Sequence, residues 1–126
     1  MSDQTTIEER WPDAVVTASG LRYVVTQTGS GTEKPKKGAT IAAHYKGSLL
    51  DDSVFDSSYK RGQPLAFQVG IGQVIPGWDE ALLDMTQGEK RTLIIPPALG
   101  YGSRGAPPVI PGNATLVFEV EMVSIK

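Results

Sequence analysis

Apolar and polar residues alternate along five segments of the chain, and this period of two predicts β-strands. The five segments are residues 21–25, 40–50, 65–70, 90–96 and 115–126. In the last and longest segment, Leu116, Phe118 and Val120 share one face, whereas Glu119 and Glu121 lie on the other. Strands with one apolar and one polar face are typical of antiparallel sheets that cover a core on one side.

The period changes once along the chain, from that of a strand to that of a helix. Trp78, Leu82 and Met85 recur at the i, i+4 and i+7 spacing that places side chains on one helix face. Asp79 falls in the first turn, where the helix dipole favours a negative charge, and Gln87-Gly88 predicts the end of the helix. One short helix covering an antiparallel sheet predicts an α+β fold.

Three segments lack either period. Residues 1–18 are polar and predict an N-terminal extension, whereas residues 51–64 and 96–114 are long loops rich in turn-forming residues. The two loops carry isolated large side chains, namely Phe55, Tyr101, Val109 and Ile110. Loops of this length in a compact domain are usually functional or disordered. The spaced apolar side chains favour the first alternative, in which the loops fold over a binding site.

The composition excludes several classes of protein. The chain has 126 residues, which suits one domain, and its net charge of −2 offers no basic face for nucleic acid. No cysteine is present, so disulfides, thiolate chemistry and cysteine-bound zinc are excluded. With His44 as the only histidine, a histidine-rich metal site is excluded and a Ser-His-Asp arrangement is disfavoured. A dinucleotide-binding loop at residues 70–77 is disfavoured because Ile75 replaces the third glycine.

The sequence also contains no signal for a membrane or for export. No stretch approaches the roughly 18 consecutive apolar residues of a membrane-spanning helix. The N-terminal residues carry acidic side chains and no apolar run. We therefore expect a soluble, cytoplasmic protein.

Four short motifs, taken together with their spacing, point to a known family. They are FDSS at residues 55–58, VIPGW at 74–78, YG at 101–102 and IPGNATLVF at 110–118. In these motifs the chain resembles the FK506-binding-protein family of peptidyl-prolyl cis-trans isomerases. The resemblance extends from about Leu21 to the C-terminus, about five-sixths of the chain.

The resemblance implies a fold and a site. It implies a five- or six-stranded antiparallel half-barrel sheet wrapped around one short helix, in a domain of residues 19–126. The pocket would lie between helix and sheet, with Trp78 as its floor. Catalytic roles are implied for Asp56, Trp78 and Tyr101, with the Tyr101 hydroxyl bonding a bound carbonyl. The implied substrate-binding residues are Tyr45, Phe55, Arg61, Leu65, Phe67, Gln73, Val74, Ile75, Val109, Ile110 and Phe118.

The chain departs from the best-known family members at three of its positions. Leu65 replaces a phenylalanine, Gln73 replaces a glutamate and Ala106 replaces a histidine. The first change thins one wall of the implied pocket and the last removes bulk from the late loop. We expect these changes to alter the affinity for substrates and macrolides rather than to abolish activity.

The resemblance also implies partners. These are proline-containing polypeptides as substrates and the macrolides FK506 and rapamycin as inhibitors, with no cofactor and no metal, for a protein expected to be a monomer that assists folding. Two alternatives stay open. One is a module of the same fold that binds proline-containing segments without turnover, and the other is an unrelated carrier of apolar ligands.

Overall fold

The computed structural model describes residues 3–125, and their dominant element is one antiparallel sheet. Its strands are β1 Val15–Val16, β2 Arg22–Gln27, β3 Thr40–Leu49, β4 Val54–Ser57, β5 Leu65–Gln68, β6 Lys90–Ile95 and β7 Leu116–Ile125. The helices are α1 Asp3–Arg10, α2 Ser58–Arg61 and α3 Pro76–Leu83, with a 3₁₀ turn at Pro97–Leu99. The strand order is β1-β2-β6-β7-β3-β4, and β5 also pairs with β3.

The two longest strands, β3 and β7, form the centre of the sheet. They pair from Ile41 opposite Ile125 to Leu49 opposite Leu116. On its other edge, β3 pairs with β5 near its start and with β4 near its end. Two short strands therefore share this edge of β3. The chain that connects them, residues 58–64, is not paired in the sheet.

Helix α3 lies against the sheet because its first turn approaches β6 closely. Pro76 occupies the first turn, where the missing amide hydrogen is not needed. A Cβ at Gly77 would lie 2.9 Å from Ile95 Cγ2, so only glycine fits this contact. Trp78 and Leu82 are buried against the sheet, and each such side chain stabilises the fold by about 1.5–3 kcal/mol.

The predicted antiparallel sheet and its covering helix are confirmed, but the sheet has seven strands among the described residues rather than five or six. The two strands not predicted are β1 and β4, of two and four residues. Two residues are too few to show alternation, and β4 lacks it because the polar residues Asp56 and Ser57 are adjacent. Strand β5 also has four residues, but there Leu65 and Phe67 fall on one face, so it could be predicted. The predicted loop 51–64 consequently contains β4 and α2.

Helix α3 ends earlier than the sequence predicts. Its last residue is Leu83 and Asp84 caps it, whereas Gln87-Gly88 was the predicted end. Met85 lies beyond the helix but is fully buried, so the apolar period continues past the helical backbone. The Asp84 side chain accepts hydrogen bonds from Lys34 and Arg91, and these contacts fix the turn that ends the helix.

Part of the predicted N-terminal extension has regular structure. Residues 3–10 form α1, and β1 pairs with β2. The helix was not predicted because Ile7 is its one large apolar residue, and one residue cannot establish a period. Within residues 3–125, the helices are too short and too polar to cross a membrane.

Candidate active site

The main candidate site is a cavity of about 250 Å³ between α3 and the sheet. Its lining consists of Tyr45, Phe55, Asp56, Leu65, Gln73, Val74, Ile75, Trp78, Tyr101 and Phe118. These residues come from β3, β4, β5, β7, the segment between β5 and α3, the start of α3 and the loop after β6. The cavity is thus assembled from segments up to 73 positions apart (Tyr45 to Phe118) along the chain.

Aromatic rings form the base of this cavity, with Trp78 at their centre. The Trp78 ring centroid lies 4.9 Å from that of Tyr45 and 5.2 Å from that of Phe118, and both pairs meet edge to face. Phe67 contacts Trp78 at 5.9 Å, and Phe55 meets Phe118 edge-on at 5.5 Å. Each such pair adds about 0.5–1.5 kcal/mol beyond its buried area, so the base is rigid and apolar.

The indole nitrogen of Trp78 has an unusual environment. It is buried, and no acceptor among residues 3–125 lies within hydrogen-bonding distance. Buried donors are nearly always paired, since an unpaired one costs about 1–3 kcal/mol. The surface of the cavity floor is therefore apolar, and the indole N–H is buried without a partner among the described residues.

A glycine in β3 allows two of the rings to meet. Gly47 lies opposite Asp56 of β4 and Phe118 of β7 in the sheet. A Cβ at this position would lie 2.6 Å from Phe118 Cε1 and 2.7 Å from Phe55 Cζ. Any other residue here would push the two rings apart, so Gly47 helps to define the cavity wall.

One wall carries a polar cluster of Tyr45, Asp56 and Arg61, which we call the wall triad. The Tyr45 hydroxyl donates to Asp56 Oδ2 at 2.6 Å. Arg61 Nη1 donates to Asp56 Oδ1 at 2.8 Å, and Arg61 Nη2 donates to the Tyr45 oxygen at 2.7 Å. The Ser57 amide adds a bond to Asp56 Oδ1 at 2.8 Å. The Asp56 carboxylate is therefore held in one orientation.

These contacts change the acidity of two members of the triad. Partial burial acts to raise the pKa of Asp56, but hydrogen bonds from Tyr45 and Arg61 and the charge of Arg61 outweigh it and hold the pKa below 3.8. Burial, helped by the hydrogen bond to Asp56, raises the pKa of Tyr45 above 10.0. At neutral pH Asp56 is ionised and Tyr45 is protonated, which is the state their hydrogen bond requires.

The lip of the cavity, residues 70–75, is held by two side chains. Asp79 accepts hydrogen bonds from the amides of Gly70 at 2.8 Å and Gly72 at 3.0 Å. Both glycines have φ above +80°, a conformation that other residues rarely adopt. Gln73 Oε1 accepts from the Gln68 amide at 2.8 Å. Asp79 was predicted only as a helix-dipole residue, because nothing in its local sequence shows its bonds to the lip.

The structure brings most of the predicted site residues together. Ten of the fourteen line the cavity directly. Arg61 lies behind the wall as part of the triad, and Phe67 is buried against Trp78. Two lie apart from the lining. Ile110 is buried, with its amide bonded to Ala106 at 3.0 Å, and Val109 is 53% exposed on the late loop.

Other chemistries find little support in the described residues. His44 Nδ1 lies 2.8 Å from Ser58 Oγ, but Ser58 is fully buried and also bonds the Tyr45 backbone. This pair stabilises β3 against α2 and presents no nucleophile. Within residues 3–125 no group of three or more histidine, aspartate or glutamate side chains is placed to hold a metal ion.

An aromatic floor, an ordered lip and one fixed carboxylate form a site whose surface suits an apolar group. The fold and this site belong to the class of small domains in which a half-open antiparallel sheet and one helix enclose a hydrophobic pocket. This class contains both enzymes and binding modules, so the comparison with known proteins decides between them.

Residues 31–123 match the family of FKBP-type peptidyl-prolyl cis-trans isomerases, and the chain belongs to this family. FK506-binding protein 2 of Aspergillus oryzae is 60% identical over 110 residues, which are 86% of this chain and 81% of that protein. Human peptidyl-prolyl cis-trans isomerase FKBP2 is 58% identical over 93 residues, 74% of this chain and 66% of that protein. The crystal structure of AtFKBP13 superposes with a TM-score of 0.86 at 42% identity, covering 90% of this chain and 99% of that one.

These similarities confirm the predicted family, fold and enzyme class. The chain is a peptidyl-prolyl isomerase of the FKBP type.

Proposed function

We propose that the chain accelerates rotation about X-Pro bonds in polypeptides by binding the proline ring on Trp78, inside the aromatic cavity. The observation that carries this proposal is the set of edge-on rings around a buried indole, open to solvent on one side. A proline ring is a compact apolar group, and a cavity of about 250 Å³ has room for it and for its neighbouring carbonyl.

The reaction needs no nucleophile. Rotation about an amide bond crosses a barrier of about 18–20 kcal/mol, because the resonance between nitrogen and carbonyl is lost in the twisted state. Twisting moves charge from the carbonyl oxygen back to the nitrogen, so the twisted amide is less polar than the planar one. An apolar cavity therefore favours the twisted amide, and each 1.36 kcal/mol of preference gives about a tenfold faster rotation.

The polar groups of the site have separate roles in this proposal. Asp56 is ionised and immobile, so it acts through its charge and does not transfer a proton. A fixed negative charge on the wall disfavours the planar amide, whose carbonyl oxygen is the more negative. The Tyr101 hydroxyl, at the exposed edge of the cavity, donates a hydrogen bond to a backbone carbonyl of the substrate. Trp78 supplies the surface on which the proline turns.

The remaining predicted residues support binding. Tyr45, Phe55, Phe67 and Phe118 form the rings of the cavity, and Leu65, Gln73, Val74 and Ile75 form its rim. Arg61 keeps Asp56 and Tyr45 in place. Val109 and Ile110 lie on the late loop, outside the cavity lining, and we propose that they contact the substrate beyond the proline. We assign substrates with an apolar residue before proline, since the rim is mainly apolar.

The proposal also covers inhibitors, the oligomeric state and the cellular location. Because relatives carry the name FK506-binding protein, we propose that FK506 and rapamycin compete for the cavity. The expected monomeric state is tested by sedimentation of the purified chain. The expected cytoplasmic location stays a prediction, which imaging of the protein in its own cells tests.

The decisive experiment measures isomerisation of a tetrapeptide containing Leu-Pro, with and without FK506. We expect acceleration that FK506 abolishes, and a loss of at least about tenfold in kcat/KM for Trp78→Leu. Binding of the peptide without any acceleration would support the non-catalytic module instead. Thermal denaturation of the variant shows whether it remains folded.

A further inference from the structure

Helix α1 lies outside the part of the chain that matches the family, which begins at residue 31. It nevertheless packs on the domain. Ile7 is 6% exposed and borders a small space with Gly20, Ile94 and Pro96. The Trp11 amide donates to the Ile7 carbonyl at 2.9 Å and extends the helical turn. The helix is therefore anchored at a defined place on the sheet.

The anchored helix directs Arg10 to the turn between β3 and β4. Arg10 Nη1 donates to the Leu50 carbonyl at 2.9 Å, and Nη2 donates to Asp52 Oδ1 at 3.0 Å. The guanidinium also lies 4.4 Å above the Trp11 ring. Two donors of one planar group thus contact both the backbone and a side chain of the same turn, a geometry that a lysine cannot reproduce.

This turn leads directly into the cavity wall. The amide of Asp52 donates to the Leu49 carbonyl, and the amide of Leu49 donates to the Ser53 carbonyl. Asp52 has a φ of 70°, a conformation that costs energy for a residue other than glycine. Phe55 follows three residues later. Strand β4 itself has four residues and pairs with one neighbour only, so its position depends on the turn before it.

We infer that Arg10 is a positioning residue, which holds the β3–β4 turn so that Phe55 and Asp56 are in place before a substrate binds. This inference rests on the proposed function, since it assigns those two residues to the substrate site. Arg10 contacts neither the cavity nor its lining; it acts through the turn. A segment outside residues 31–123 thereby raises the affinity of the pocket for its ligands.

The size of the effect follows from the exposure of the contact. Arg10 is 35% exposed and Asp52 75% exposed, and ion pairs of this kind contribute little. Loss of the contact should shift the equilibrium constant between the ordered and the disordered wall about two- to fivefold toward disorder. Apparent affinity falls in proportion to the competent fraction, for every ligand of the cavity. The KM for peptide and the Kd for FK506 should then rise by the same factor, with kcat unchanged.

The test compares the full chain with Arg10→Ala, Arg10→Lys and the control Lys34→Ala. Lys34 also forms an exposed ion pair, at 2.6 Å with Asp84, but makes no contact with the β3–β4 turn. Hydrogen exchange of residues 49–57, followed by mass spectrometry, reports the turn directly and requires no activity. We expect about two- to fivefold faster exchange in Arg10→Ala, an intermediate rate in Arg10→Lys and no change in the control.

Each result has a distinct meaning. Faster exchange together with matched increases in KM and Kd supports the inference. Unchanged exchange in Arg10→Ala overturns it, as does faster exchange with KM and Kd both unaltered. If the unmodified chain binds FK506 but does not accelerate isomerisation, the proposed function fails; the positioning role is then decided by exchange and Kd alone.

Discussion

The wall triad and a second charged cluster, formed by Asp84, Glu89 and Arg91, use the same kinds of side chains in different surroundings. In the triad, Arg61 is 49% exposed and Asp56 44% exposed. In the second cluster, Arg91 is 6% exposed and Glu89 9% exposed. We call the second cluster the base cluster.

In the base cluster Arg91 and Glu89 are buried and bonded to protein atoms, whereas Asp84 is 44% exposed. Arg91 Nε donates to Glu89, and Arg91 Nη2 donates to Asp84 Oδ2 at 3.0 Å and to the Asp84 carbonyl at 3.2 Å. The Arg91 guanidinium also lies 4.1 Å above the Tyr23 ring. Glu89 in turn accepts from the Thr86 amide at 3.1 Å. These bonds tie the exit of α3 to the start of β6.

The comparison indicates that a buried network of charges stabilises the fold, whereas a half-exposed network serves ligand binding. A buried charge is tolerated only when it is paired, so removal of one partner destabilises the fold strongly. A half-exposed network contributes little to stability, yet it can orient a group toward a ligand. We therefore expect mutations in the base cluster to change stability and mutations in the triad to change activity.

The largest effect is expected for Arg91→Met, which leaves the Glu89 charge without its partner. The free energy of unfolding should fall by about 3 kcal/mol or more. Urea denaturation followed by tryptophan fluorescence measures it. The matched variant, Arg61→Met, should lose much less, since Arg61 is half exposed. Equal losses in both variants would remove the distinction between the two networks.

The second effect concerns activity. Asp56→Asn keeps the shape of the side chain and removes its charge, so kcat/KM for the Leu-Pro peptide should fall about tenfold, which corresponds to about 1.4 kcal/mol. Asp84→Asn makes the same change at a carboxylate of equal exposure that does not line the cavity, so it should leave kcat/KM unaltered. A normal rate in Asp56→Asn would show that the wall charge has no part in the reaction.

The third prediction uses pH. Because the pKa of Asp56 lies below 3.8 in the folded chain, its contribution to stability is complete above that pH. It is lost as the pH falls from 3.8 through the folded pKa. Arg61→Gln removes a hydrogen bond and a charge, so the pKa of Asp56 should rise toward 3.8. Carbon-13 NMR titration of the carboxyl group measures this shift; an unmoved titration would contradict the geometry of the triad.

The smallest effect is expected at the late loop. Val109 is outside the cavity lining, so Val109→Ala should change KM by less than about twofold and leave stability within about 0.5 kcal/mol. Tyr101→Phe, on the same loop but within the lining, should lower kcat/KM more, by about two- to fivefold, through loss of one hydrogen bond. A larger change for Val109→Ala would place the substrate over the loop as well as in the cavity.

Much of the fold could be predicted because it follows from local periodicity. Strands β2, β3, β5, β6 and β7 and the start of α3 at Pro76 each show a repeat of two or of 3.6 in neighbouring residues. The strands β1 and β4 and the helices α1 and α2 leave no such repeat. They form because contacts with distant parts of the chain stabilise them, as when Ile7 of α1 is buried near Ile94 and Pro96.

The candidate site divides in the same way. The residues that form the site could be predicted from motifs such as FDSS and VIPGW, whose residues line or support the cavity. The hydrogen bonds that hold these residues could not be predicted. Asp79 bonds the lip, and Arg10 bonds a turn 40 and 42 residues away. No pattern of neighbours in the sequence encodes such pairs.

By itself, then, the amino-acid sequence determined the main strands through their short-range periodicity, and its motifs determined the family and, through that resemblance, the residues of the pocket. Only the tertiary structure decided which charges are buried, which carboxylate is held by Tyr45 and Arg61, and where the N-terminal helix docks. The physical reason is that burial and hydrogen bonding depend on distances in space, which the folded sheet sets between residues far apart along the chain.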